Sequence, residues 1–204
     1  RSPLRDTTRL GQRYAGVLAA TQLRDAPAAL DMLASLRATP VDDATSRAAM
    51  DWLTLEVLVA LKVNDAPGGL SLTALREKAL ASDDREGLLL GARATLVDSA
   101  ETQRNAAQRL RTWVTLHPND ALAWQTLSSL HNALQQPVQA ARADAEARLA
   151  RLDAPGALER LRAAQQWARN SREIDHVELS ILDARVRHVD SLVREHLREE
   201  KPNG

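Results

Sequence analysis

The chain contains no phenylalanine and a single tyrosine, Tyr14, against 36 alanines and 33 leucines in 204 residues. Alanine and leucine are strong helix formers, whereas strands draw on β-branched and aromatic side chains. That balance predicts an all-α fold and excludes an all-β one. The length suits one domain or a short array of repeats. With no cysteine, a disulfide scaffold, a CxxC zinc site and a thiol nucleophile are all excluded. Lys plus Arg and Asp plus Glu are 27 each, so no net field recruits nucleic acid or anionic lipid. The longest apolar stretch, 53–63, is broken by Glu56 and Lys62, and no transmembrane segment is expected. No signal-peptide pattern opens the sequence.

Proline marks a rhythm. Asp25-Ala26-Pro27 recurs as Asp65-Ala66-Pro67 and again as Asp153-Ala154-Pro155. Proline is tolerated at the first helical position, where its missing N–H costs nothing, and a preceding Asp complements the positive helix end. All three read as helix starts, with Gly68-Gly69 as a loose opening of the second. Weaker starts lie at Glu101-Thr102 and Gln136-Pro137. Amphipathic stretches predict helices over 7–24, 27–38, 45–62, 70–81, 85–98, 102–116, 120–134, 138–151, 155–169 and 171–199. Asn170 and Glu173 form a candidate capping box for the last of these. Starts spaced by 35 to 40 residues point to a helix–turn–helix solenoid.

The residues at the junctions carry a resemblance. Trp124-Gln125-Thr126-Leu127-Ser128, with His131 and Ala140 following, is similar to the tetratricopeptide pattern W-x2-L-G-x2-Y…A. Gly16, Ala19, Ala28, Ala94 and Ala106 fall on its small close-packing positions, while its large aromatic positions are mostly lost. The expected organisation is a single array over 1–204, a right-handed α-solenoid. Its repeats are 9–42, 45–82, 87–120 and 121–152, with C-terminal capping helices over 155–199.

A narrower resemblance covers about 88–199. Leu88-Leu89-Leu90, Ala106 to Leu110, Leu116 to Asp120, Ala123-Trp124, Ala133-Leu134, Ala140 to Ala143 and Asp183 to Val186 occur in one order. This set resembles the C-terminal tetratricopeptide region of bacterial periplasmic gluzincin zinc metalloproteases, the family that includes the β-barrel assembly-enhancing protease. The resemblance implies a periplasmic parent with a separate zinc protease domain, acting in outer-membrane protein quality control. The helical region would be its non-catalytic docking part. Its partners would be substrates as extended peptides, the assembly machinery, or its own protease domain. A free-standing tetratricopeptide adaptor is the alternative.

Catalytic chemistry is not expected in this chain. No H-E-x-x-H occurs, and no two of His117, His131, His176, His188 and His196 are spaced by four. There is no G-x-S-x-G elbow, Walker loop or G-x-G-x-x-G fingerprint. No cofactor is therefore expected here, and zinc only in the protease domain. The five His read as surface residues. Trp52, Trp113, Trp124 and Trp167 read as core, and the Arg groups at 160–172 and 185–198 as salt-bridged helix surface. Asp42-Asp43 and Asp83-Asp84 read as caps or solvated charge, and Gly91 as a point of close helix approach. Counting the tetratricopeptide register places Arg13, Thr95, Asp98, Gln125, Ser129 and Asn132 on a polar concave groove suited to a protein or extended peptide.

Overall fold

A computed structural model describes residues 3–170 and 176–199 of the chain. The all-α expectation holds. Helices α1 (Pro3–Gln22), α2 (Ala26–Arg37) and α3 (Ala44–Leu61) lead into a two-stranded antiparallel hairpin, β1 (Asp65–Ala66) and β2 (Leu70–Ser71). Then come α4 (Leu72–Ala81), α5 (Arg85–Ala94), a 3-10 turn (Thr95–Val97), α6 (Ala100–Leu116) and α7 (Ala121–Ala133). The chain closes with α8 (Pro137–Leu149), α9 (Ala154–Asn170) and α10 (His176–Glu199). Two compact units, Arg1–Ala94 and Thr95–Gly204, divide it.

Most helix starts are fixed by side-chain caps. The carboxylates of Asp25, Asp43 and Asp120 and the hydroxyls of Ser71 and Ser99 each accept the backbone N–H three residues on. Each cap satisfies one of the donors a helix N-terminus leaves without a partner. Asp153 does the same for Gly156 at the start of α9, and Asp84 for Gly87 in α5. Pro137 opens α8 without a side-chain cap.

In the first unit α3 is the hub. Its residues 50–55, with Val57 and Leu58, are buried, and α1, α2, α4 and α5 all pack on it. Val17, Leu33, Leu36, Leu53, Leu55, Leu58 and Leu75 share one apolar core with Trp52. Gly91 lets α5 lie against α4. A Cβ there would stand 2.7 Å from the Leu80 backbone nitrogen and 3.0 Å from the Ala79 carbonyl carbon. The expected close approach at Gly91 is thus present.

In the second unit each helix from α6 to α10 packs on the next. Alanine fills the contacts: Ala140, Ala141, Ala143, Ala145 and Ala147 of α8 are all buried. Leu158, Leu161, Leu182 and Val189 close the α8–α10 core, and Val186 and Val193 flank it as the apolar seam of α10.

Four expectations are corrected. Asp65-Ala66-Pro67 opens a hairpin rather than a helix, because Gly68 and Gly69 adopt φ of +87° and +77° and reverse the chain. The helix expected over 85–98 ends at Ala94 and tightens into the 3-10 turn. Trp167 is 52% exposed rather than core. Ala19, assigned to a close-packing position, faces solvent. The Asn170–Glu173 capping box falls partly outside the described residues.

Candidate functional site

The junction Pro118-Asn119-Asp120, with Trp124 four residues on, is wired by its own side chains. Asp120 caps α7 through Oδ1 and accepts the Trp113 indole N–H through Oδ2 at 3.0 Å. The Trp124 indole donates to the Pro118 carbonyl at 2.8 Å, and the Trp113 ring lies 4.1 Å from that of His117. Both indoles are half-buried with their polar edges satisfied, as buried Trp requires. The motif therefore sets the α6–α7 turn and leaves the face of α7 beyond it for other use.

That face carries three of the six candidate groove residues. Gln125, Ser129 and Asn132 are spaced by four and three, on one side of α7. Gln125 is exposed and its Oε1 accepts from Arg151 at 2.8 Å. Ser129, half-buried, donates to the Gln125 carbonyl, and Asn132 is exposed. Asp98 is half-buried beside the 3-10 turn, and its carbonyl accepts from Gln103 Nε2 at 3.2 Å. Thr95 is fully buried and drops out of any surface, because the 3-10 turn directs it inward. Arg13, in the first unit, is exposed and donates to Thr39 Oγ1 at 2.8 Å. It lines a cleft of about 470 Å³ between α1 and α2 with Arg9, Gln12 and Met32.

His131 corrects the surface reading of the five histidines. It is 3% exposed, with Nδ1 2.7 Å from Gln136 Oε1. It lies within α7, bonded to the residue just before α8. Burial holds its pKa below the ordinary 6.5, and the charges of Arg111 and Arg142 act in the same direction against the Gln136 bond. The folded chain thus refuses a proton that the unfolded chain accepts below about pH 6.5. Stability is complete above that value and falls as the medium is acidified. Replacing His131 by glutamine is expected to flatten this fall between about pH 7 and 5. Denaturant midpoints measured across that range check it; an unchanged slope would place the acid sensitivity elsewhere.

Five arginines of the two groups form ion pairs. Arg160 pairs with Asp144, Arg162 and Arg194 with Asp190, and Arg169 with Asp183. Arg185 grips Glu146 with two N–H groups at 2.6 and 2.5 Å, tying α10 to α8. Arg172 lies outside the described residues. Among the described residues no group of three or more His, Asp or Glu could hold a metal ion, and no helix is long and apolar enough to cross a membrane.

One polar cluster escaped the pattern reading. Asp51 is 8% exposed within the apolar helix α3, bonded to Arg37 at 2.9 Å and Lys78 at 2.6 Å. Burial pushes its pKa up, but those two cations more than offset this and hold it below the usual carboxylate range. An acid beside Trp52 in so apolar a helix was the signal available. No family model and no curated protein matches the chain.

Proposed function

We propose that this chain is a tetratricopeptide-like docking domain, a right-handed solenoid of helix pairs that binds protein segments and performs no chemistry of its own. In this reading it belongs to a periplasmic zinc metalloprotease of envelope quality control, whose zinc sits in a separate catalytic domain. It would present outer-membrane protein substrates, or the machinery that assembles them, to that domain.

The observation that carries the docking reading is the succession α6 to α10. Three residues join α7 to α8, and four join α8 to α9. Neighbouring helices joined so tightly run antiparallel. Small residues occupy their contacts, with Ser128 Oγ 2.8 Å from the Ala140 carbonyl. Helix pairs of this kind bury their faces only by stacking, and the stack leaves a long surface for partners. The polar face Gln125–Ser129–Asn132 suits an extended segment, whose backbone needs donors and acceptors. The protease parentage rests on the ordered residue set between Leu88 and Val186.

Two measurements test these readings separately. Capture of an unfolded outer-membrane β-barrel protein by the full chain should weaken about fivefold when Gln125 and Asn132 are both changed to alanine, with helicity unchanged. Equal capture would exclude this face as the contact. Sequencing the gene around this segment tests the parentage: an H-E-x-x-H domain in the same reading frame supports it. Its absence leaves docking standing without the protease.

A further inference from the structure

A cleft of about 590 Å³ opens at the α2–α3 connection, within the first unit. Its charged lining is Arg37, Arg47, Lys78 and Asp51. Its apolar wall is formed chiefly by Val41, Ala48 and Met50, beside Pro40. Three cations thus face one carboxylate, and that carboxylate is consumed internally. Asp51 Oδ1 accepts from Arg37 and Oδ2 from Lys78. Arg37 is fixed further by the Met50 carbonyl at 3.1 Å and Thr54 Oγ1 at 2.9 Å.

The cluster is therefore pre-oriented and still positive. An ammonium has three donors, and Lys78 spends one on Asp51 while remaining 59% exposed. Arg47 is exposed; its backbone N–H donates to the Asp43 carbonyl, its guanidinium makes no hydrogen bond among the described residues, and its charge helps lower the pKa of Asp43, the cap of α3. Among the residues that line the cleft, three cations stand against one carboxylate. A cleft of this size, part apolar and part cationic, is built for a ligand with the same two parts.

We propose that this cleft binds an apolar carboxylate, one carboxylate carried on a body about the size of a leucine side chain. The carboxylate is held by Arg47 and Lys78, and the body covers Val41, Ala48 and Met50. Inorganic phosphate is disfavoured, because it has nothing to lay on the apolar wall and is more strongly hydrated. The site shares no residue with the α7 face and stands whether or not that face docks proteins.

Amide NMR titration of the full chain tests it with N-acetyl-leucine, its amide and inorganic phosphate. N-acetyl-leucine should shift the resonances of residues 41–51 and Lys78 with a Kd of about 1 mM, and the amide should bind at least about tenfold more weakly. Arg47→Ala should weaken N-acetyl-leucine about fivefold and leave the fold intact, whereas Arg104→Ala should change nothing. Equal binding of acid and amide, phosphate binding as tight as N-acetyl-leucine, or shifts confined to other residues would overturn the proposal. A hexapeptide ending in leucine separates the two sources of this chemistry. Tighter binding than N-acetyl-leucine marks a polypeptide end as the ligand, and equal binding marks a free small acid.

Discussion

Replacing Gly91 by alanine is expected to destabilise the first unit by about 2 to 3 kcal/mol, although alanine is the better helix former by about 1 kcal/mol. The sign follows from what the new methyl meets. Its nearest neighbours are the backbone of Leu80 and Ala79 on α4, at 2.7 and 3.0 Å, and a backbone cannot rotate aside as a side chain can. Either α5 lifts off α4 or both helices bend. Gly11 supplies the control. It lies inside α1 with nothing within 4 Å of its Cβ position. Gly11→Ala should therefore stabilise by about 0.5 to 1 kcal/mol. Thermal melts of the two variants beside the parent decide the matter; shifts of the same sign would mean that α4 and α5 are less tightly packed than described.

The second large effect centres on Asp51. Asp51→Ala leaves Arg37 beside a hole, with its partner carboxylate gone and only the Met50 and Thr54 oxygens remaining. Removing one member of a buried ion pair costs about 3 to 5 kcal/mol, and the exposure of Lys78 brings the expectation here to about 2 to 3 kcal/mol. Asp51→Asn keeps a hydrogen-bonding group and should lose about half as much. Changing Arg37 to methionine and Asp51 to leucine together should recover part of the loss, because no buried charge is then left alone. The wild-type contribution also has a pH signature. The folded pKa of Asp51 is depressed, so its stabilisation is present above the unfolded carboxylate range and is lost as pH falls through the folded value. Denaturant unfolding of the three variants at neutral pH checks the order; a double variant weaker than Asp51→Ala would contradict this account.

How much was legible in the sequence varies with the kind of signal. Asp25-Ala26-Pro27 and Asp153-Ala154-Pro155 start helices as read, because the Asp cap and the proline act within a few residues of themselves. Asp65-Ala66-Pro67 carries the same signal and yields a hairpin, since two glycines with positive φ follow it and the Leu72 N–H turns back to the Asn64 carbonyl. There the local cap lost to a local turn. The register places Thr95 on a groove, but the helix tightens at Ala94, so a register carried through that point no longer gives the facing. Gln125 and Asn132 lie inside an unbroken helix, and both are exposed. Asp51 escapes the pattern for a different reason. Burial of a polar side chain depends on partners 14 and 27 residues away for Asp51, and no spacing within α3 records them.

The alanines of α8 have a consequence for the kinds of change this protein can absorb. A core built of leucines fails mainly by losing atoms. Ala140, Ala141, Ala143, Ala145 and Ala147 have one methyl each to lose, and the neighbouring helices already lie against them. The damage there comes from growth. A single base change turns an alanine codon into valine, threonine or glutamate, and each adds volume where none is free. The buried face of α8 is thus sensitive to enlargement rather than truncation, and drift in α8 is confined to its outward residues.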